Sequence, residues 1–144
     1  MYQFNFYAHV TVSIVTLLSG VFAIILAFAH RRKNKEFTKV NKIINKSFVI
    51  SMYTQLVLGF AMYTKSWSVT PALENNAIDP GGSPQIRFWE IEHVAIMIFA
   101  LLLVQIGYIF ISKTKSPQKK YLLTFWYFGI PLCLMIFTMI MAVR

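Results

Sequence analysis

Charged residues and cysteine are both scarce in this sequence, and each shortage excludes a class of protein. Only 13% of the 144 residues are charged, whereas soluble globular domains carry about a quarter. The single cysteine, Cys133, cannot form an intrachain disulfide, so the chain is not a disulfide-stabilised domain. Cys133 lies within an apolar stretch, and we expect it to be buried and inert.

Acidic residues are few as well, with 5 Asp and Glu against 14 Lys and Arg, which gives a formal net charge of +9. A basic excess occurs in nucleic-acid-binding proteins and also in membrane proteins whose positive loops fix their orientation. Here most of the basic residues lie in two short connections between apolar segments. We therefore expect these connections to contact membrane lipid, and we expect no nucleic-acid partner.

Four long apolar segments are what the sequence has in abundance. They cover about residues 6–29, 47–63, 89–111 and 121–143, and most approach or exceed the roughly 20 residues with which a helix crosses a bilayer. The first has no positively charged start, so we expect it to stay in the mature protein. The prediction is an all-α integral membrane protein, a four-helix up-down bundle that forms one domain over residues 1–144. Pro131 should kink the fourth helix.

Lysine and arginine mark one side of this predicted bundle. The first connection holds Arg31, Arg32, Lys33, Lys35, Lys39, Lys42 and Lys46, and the third holds Lys113, Lys115, Lys119 and Lys120. Basic loops stay on the cytoplasmic side, so both termini should face outward. The outer loop, residues 64–88, is rich in proline and glycine and should be irregular. It is either a plain connector or a lid over the bundle.

Ionisable residues inside a membrane span are costly, so each requires a partner or a function. His9 precedes His30, at the inner end of the first span, by about 21 residues. His93 precedes Lys113, at the inner end of the third, by about 20 residues. At 1.5 Å per residue both histidines lie roughly 30 Å from the inner boundary, near the outer surface.

Two histidines at one depth favour a haem site. In an up-down bundle the first and third helices occupy diagonal corners, roughly 12 to 14 Å apart, which leaves room for a planar macrocycle between them. His9 and His93 would then be the two axial ligands of one haem iron, a low-spin centre for electron transfer. Close to His93 in sequence, Glu92 or Glu90 could pair with Arg87 or accept a proton near the outer surface, or these carboxylates could simply be solvated at the interface.

Other interpretations of these residues stay open. His9 could lie in the headgroup region while His93 bonds a carboxylate, or the pair could serve a metal or a quinone. The Glu-x-x-His spacing of Glu90 and His93 occurs in di-metal bundles, but the other spans supply no carboxylates. His30 is expected to be solvated.

Three uncharged polar residues within the spans also require partners. Tyr53, Gln55 and Gln105 are expected to form hydrogen bonds between helices, with a quinone site in the inner half of the bundle as the alternative.

Three short motifs give the chain a family resemblance. With Tyr-Ala-His9, Gln55-Leu-Val-Leu-Gly59 and Arg87-Phe-Trp-Glu-Ile-Glu92-His93, it resembles, over nearly its whole length, small bacterial four-helix membrane proteins labelled cytochrome b-like. Where that group often carries a further histidine before the second motif, this chain has Tyr53. The resemblance implies redox work in a bacterial inner membrane, with one haem and not two.

These observations lead to two competing functional hypotheses. The first is a b-type haem protein that transfers electrons between quinol and a membrane or periplasmic partner, and is at most the electron-transfer component of an oxidoreductase. The second is a haem-free accessory or structural subunit of a larger membrane complex, since the chain is small and has few catalytic groups.

Overall fold

Four α-helices make up the structure, a computed structural model that describes residues 2–64 and 91–143. They are α1, Tyr2–Arg32; α2, Lys39–Tyr63; α3, His93–Lys113; and α4, Pro117–Val143. Each contains a stretch long and apolar enough to cross a membrane. The prediction of an all-helical chain with four candidate spans is confirmed to this extent. Insertion into a bilayer and the outward position of the termini stay predictions.

Three of the helices, α1, α2 and α4, are longer than the apolar segments that predicted them. α2 begins at Lys39 and not near residue 47, and α4 begins at Pro117 and not near residue 121. The Thr38 side chain accepts a bond from the Asn41 backbone N–H at 3.5 Å and so caps α2, and proline suits the first position of a helix. Lysines in these extra turns therefore lie on helices. The predicted start of the third span and most of the outer loop lie outside the described residues.

Each helix packs against two neighbours in a closed arrangement. α1 contacts α2 and α4, and α3 contacts α4 and α2, so α1 and α3 lie on one diagonal of the bundle. The two hairpins, α1–α2 and α3–α4, have the closest packing, and the α2–α3 pair has the least. We call the end that holds residues 33–38 and 114–116 the basic end, and the opposite end the terminal end.

The core is mostly aliphatic and includes two aromatic rings, and glycines allow close helix contacts beside it. The Phe48 and Phe128 rings are fully buried, with centroids 5.0 Å apart. A Cβ placed on Gly20 would lie 2.7 Å from Phe48 Cε2, so only glycine lets α1 approach this ring. A Cβ on Gly107 would collide with the Tyr127 Cβ in the same way. These two glycines therefore set the α1–α2 and α3–α4 spacing.

A polar network holds the basic end together. The Tyr121 hydroxyl donates to the Glu36 carbonyl at 2.7 Å, and the Asn41 amide donates to the Tyr121 hydroxyl at 3.3 Å. His30 Nδ1 lies 3.3 Å from the Asn41 amide nitrogen, and the His30 ring meets the Tyr121 ring edge to face. His30 is thus half-buried and bonded between helices, so the expectation that it is solvated was wrong.

The outer faces of the bundle are apolar, and Cys133 lies on one of them. It is exposed, as are Ile130, Ile136 and Phe137, which lie three or four residues away on the same face of α4. The expectation that Cys133 is buried was therefore wrong, because an apolar stretch in a bilayer can face lipid as well as core. α4 continues through Pro131, which is buried, and the kink stays a prediction.

Candidate functional site

His9 lies on α1 with its side chain against α2. A Cβ placed on Gly59 would touch His9 Cε1 at 3.5 Å and Nδ1 at 3.9 Å, so the imidazole rests on the α2 backbone. The His9 carbonyl accepts bonds from the Gln55 amide at 3.0 Å and from the Ser13 hydroxyl at 2.8 Å. The Gln55 amide also donates to the Ser13 hydroxyl at 2.6 Å. These contacts hold His9 of α1 against α2.

The spacing of these residues explains why they meet. His9 and Ser13 are four residues apart, as are Gln55 and Gly59, and such pairs share one helix face. Two turns further along α1 the buried residues Thr16 and Gly20 continue the same face. One stripe of small and polar residues on α1 therefore meets a matching pair on α2.

His93 comes to the same end of the bundle from α3. It is the first residue of that helix and is half-buried. Its imidazole interacts electrostatically with that of His9. The sequence predicted that both histidines lie at one depth on diagonal helices, and the two residues do lie on diagonal helices, near enough to interact electrostatically. We call His9, Ser13, Gln55, Gly59 and His93 the histidine cluster.

Two polar atoms in the histidine cluster are buried without a hydrogen-bond partner among the described residues. They are His9 Nδ1 and the Gln55 carbonyl oxygen Oε1. Buried polar atoms in proteins are nearly always bonded, so an unpaired ring nitrogen and an unpaired amide oxygen in one cluster indicate a site with a task beyond packing. The residues present fit a group held by nitrogen donors.

Of the three remaining predicted site residues, the structure describes one. Glu92 is exposed and lies at the N-terminal cap of α3, directly before His93. Arg87 and Glu90 lie outside the described residues. Within residues 2–64 and 91–143, no three His, Cys, Asp or Glu side chains form a group that could hold a metal ion. The role of His9 and His93 as iron ligands stays a prediction.

From the sequence, Gln55 was expected to form a hydrogen bond between helices, which it does with the His9 carbonyl, but Ser13, Gln55 and Gly59 were not predicted to lie beside His9. The signal was available in the i, i+4 spacing of His9 with Ser13 and of Gln55 with Gly59. The rotation of each helix about its axis decides whether the two faces meet, and this rotation could not be predicted from the sequence.

The other two polar span residues bond each other, as expected. The Tyr53 hydroxyl donates to Gln105 Oε1 at 3.0 Å, between α2 and α3. The quinone alternative for these residues stays a prediction.

Comparisons with known proteins identify no relative. No family model matches the chain, and neither the curated proteins nor the solved structures contain a match. The resemblance to cytochrome b-like proteins stays a hypothesis that depends on the quoted motifs.

Proposed function

We propose that the protein holds one b-type haem between His9 and His93 and transfers electrons between quinol and a membrane or periplasmic partner. The observation that supports this proposal is the position of two half-buried histidines on diagonal helices at one end of an apolar four-helix bundle, close enough to interact electrostatically. A histidine pair in such a setting is the donor set of a bis-histidine haem.

The residues around His9 suit a ligand role. An imidazole that binds iron through Nε2 keeps its Nδ1 for an outer hydrogen bond, which fixes the ring orientation. The unpaired Gln55 Oε1 is an acceptor in the same cluster, and Gln55 is itself fixed by its bonds to Ser13 and the His9 carbonyl. Gly59 lets the His9 ring lie close to α2 without a clash.

The proposed chemistry follows from the donor set and the surroundings. Bound haem would supply reversible one-electron transfer, and two imidazoles leave no open position on its iron. The histidine cluster lies at the terminal end of the bundle, where a partner on that side could reach it. Electron transfer is therefore favoured over oxygen chemistry.

A reduced-minus-oxidised optical spectrum of the detergent-purified protein tests this proposal. Sharp b-type bands are expected in the unaltered protein and should be lost in His9→Ala and in His93→Ala. His30→Ala is the matched control, because it removes the third histidine at the basic end and should keep the bands.

The opposite result has a definite meaning. If protein produced with ample haem gives a featureless spectrum, the haem proposal fails and the haem-free accessory subunit is favoured. In that case the apolar outer faces would pack against other subunits, and the chain should co-purify with a larger membrane complex in mild detergent.

A further inference from the structure

A partly open pocket of about 260 Å³ lies at the basic end, far from the histidine cluster. Three helices form it, because Lys42 and Asn45 come from α2, Ser112 from α3 and Lys120 from α4. It opens beside α2 and α3, the neighbouring pair that packs least extensively. The pocket is therefore an opening between helices at the level where the apolar spans end.

The polar lining of the pocket is suited to an anion. Lys42 and Lys120 approach it from two different helices, and no carboxylate is present among its lining residues in the described part of the chain. Lys120 Nζ lies 5.2 Å from the centroid of the Phe37 ring, a cation–π contact that orients this ammonium group. Two lysines on separate helices can neutralise one phosphate between them.

The floor of the pocket is rigid. Asn45 is buried and donates to the Thr124 hydroxyl at 3.1 Å, and that hydroxyl donates to the Lys120 carbonyl at 3.0 Å. These bonds join α2 to the first turn of α4, so the backbone that carries Lys120 is fixed relative to Lys42. The fold therefore sets the backbone positions from which the two lysine side chains extend.

The apolar part of the pocket decides which phosphate it suits. Tyr108 and Ile111 of α3 belong to its lining, and the exposed Ile109, Ile106 and Leu102 follow along α3 towards the terminal end. A free phosphate ion makes no use of such a surface, whereas the acyl chains of a phospholipid would cover it. Basic pockets between transmembrane helices are known to suit acidic lipid headgroups.

We propose that this pocket binds the phosphate of an anionic glycerophospholipid between Lys42 and Lys120, with the acyl chains along α3. The site is independent of the histidine cluster and does not depend on haem binding. Bound lipid would occupy the opening between α2 and α3 and hold the basic end of the bundle in one arrangement.

The test uses the full chain in vesicles that contain equal amounts of phosphatidylglycerol and phosphatidylcholine, with retained lipid counted by native mass spectrometry. Retained phosphatidylglycerol should fall by about tenfold or more in the double variant Lys42→Gln, Lys120→Gln, because two phosphate contacts are lost. The matched control, Lys33→Gln with Lys35→Gln, removes the same charge from the same end outside the pocket and should retain the lipid. Lys42→Arg with Lys120→Arg should retain it too.

Three results would overturn the proposal. Equal losses in both glutamine double variants would mean that the general positive field, and not the pocket, attracts the lipid. Unchanged retention in the pocket variant would mean that the pocket is not the site. Full competition by inorganic phosphate would assign the pocket to the free ion. Circular dichroism of each variant separates loss of lipid from loss of fold.

Discussion

At the scale of single residues, the absence of a side chain is as informative as its presence. Gly20, Gly59 and Gly107 all lie where another helix or an imidazole approaches the backbone, yet the space at each differs. At Gly59 a methyl group would make ordinary contact with His9, whereas at Gly107 it would collide with Tyr127. The same change should therefore have different consequences at the two positions.

Gly59 should tolerate alanine and not leucine. The Gly59→Ala Cβ would meet His9 Cε1 at 3.5 Å, an ordinary contact, while Gly59→Leu would fill the space taken by the ring and displace it. Optical titration with haem should show binding to Gly59→Ala. The affinity of Gly59→Leu for haem should be at least about tenfold weaker, because the His9 imidazole is displaced from its position as an iron ligand. Equal binding by both variants would contradict the placement of His9.

Alanine at Gly107 should destabilise the protein by roughly 1–3 kcal/mol, because the added methyl overpacks the α3–α4 contact at the Tyr127 Cβ, which cannot rotate away. The matched control is Gly129→Ala, where the nearest atom is Ile24 Cδ1 at 3.8 Å. That variant should be unchanged or stabilised by up to about 1 kcal/mol through helix propensity. Thermal unfolding in detergent measures both, and equal melting temperatures would contradict the close packing at Gly107.

At the scale of helices, hydrogen bonds between elements add direction to apolar packing. The Asn45–Thr124 bond joins α2 to α4, which lie on the other diagonal, and both side chains are buried. An interhelical bond of this kind fixes rotation and depth, which apolar contacts alone leave loosely defined.

A double-mutant cycle measures that bond. Asn45→Ala and Thr124→Val should each destabilise the protein, and together they should cost less than their sum, with a coupling of roughly 0.5–2 kcal/mol. Equilibrium unfolding in mixed micelles gives the four free energies. A cycle between Asn45 and Thr11, an exposed residue on α1, is the control and should show additivity.

The sequence predicted the number of helices better than where each helix begins and which residues meet between helices. The lengths of the apolar runs predicted four helices, and counting from the basic ends placed His9 and His93 at one depth. The start of α2 at Lys39 was missed because interfacial turns are polar and lie outside the apolar run. The Tyr121 bonds to Asn41 and Glu36 were missed because they join residues 80 and 85 positions apart, and no local pattern encodes them.

At the scale of the whole molecule, charge asymmetry predicts the orientation. The connections at the basic end should face the cytoplasm and the segment around residue 75 should face outward. In a Cys133→Ser background, a membrane-impermeant maleimide added to intact cells should label Asn75→Cys and should label Lys35→Cys only after permeabilisation. The reverse labelling pattern would mean that the topology is inverted and that the histidine cluster lies on the cytoplasmic side.

The unequal packing of the four helices has a consequence for biogenesis. Each closely packed hairpin, α1–α2 and α3–α4, is closed by a short connection at the basic end, and the chain passes between hairpins only through the segment that contains residues 65–90. Each hairpin can thus enter the bilayer as a unit and dock afterwards. Two separately synthesised halves, divided near residue 77, should reassemble into the bundle and co-purify through an affinity tag on either one.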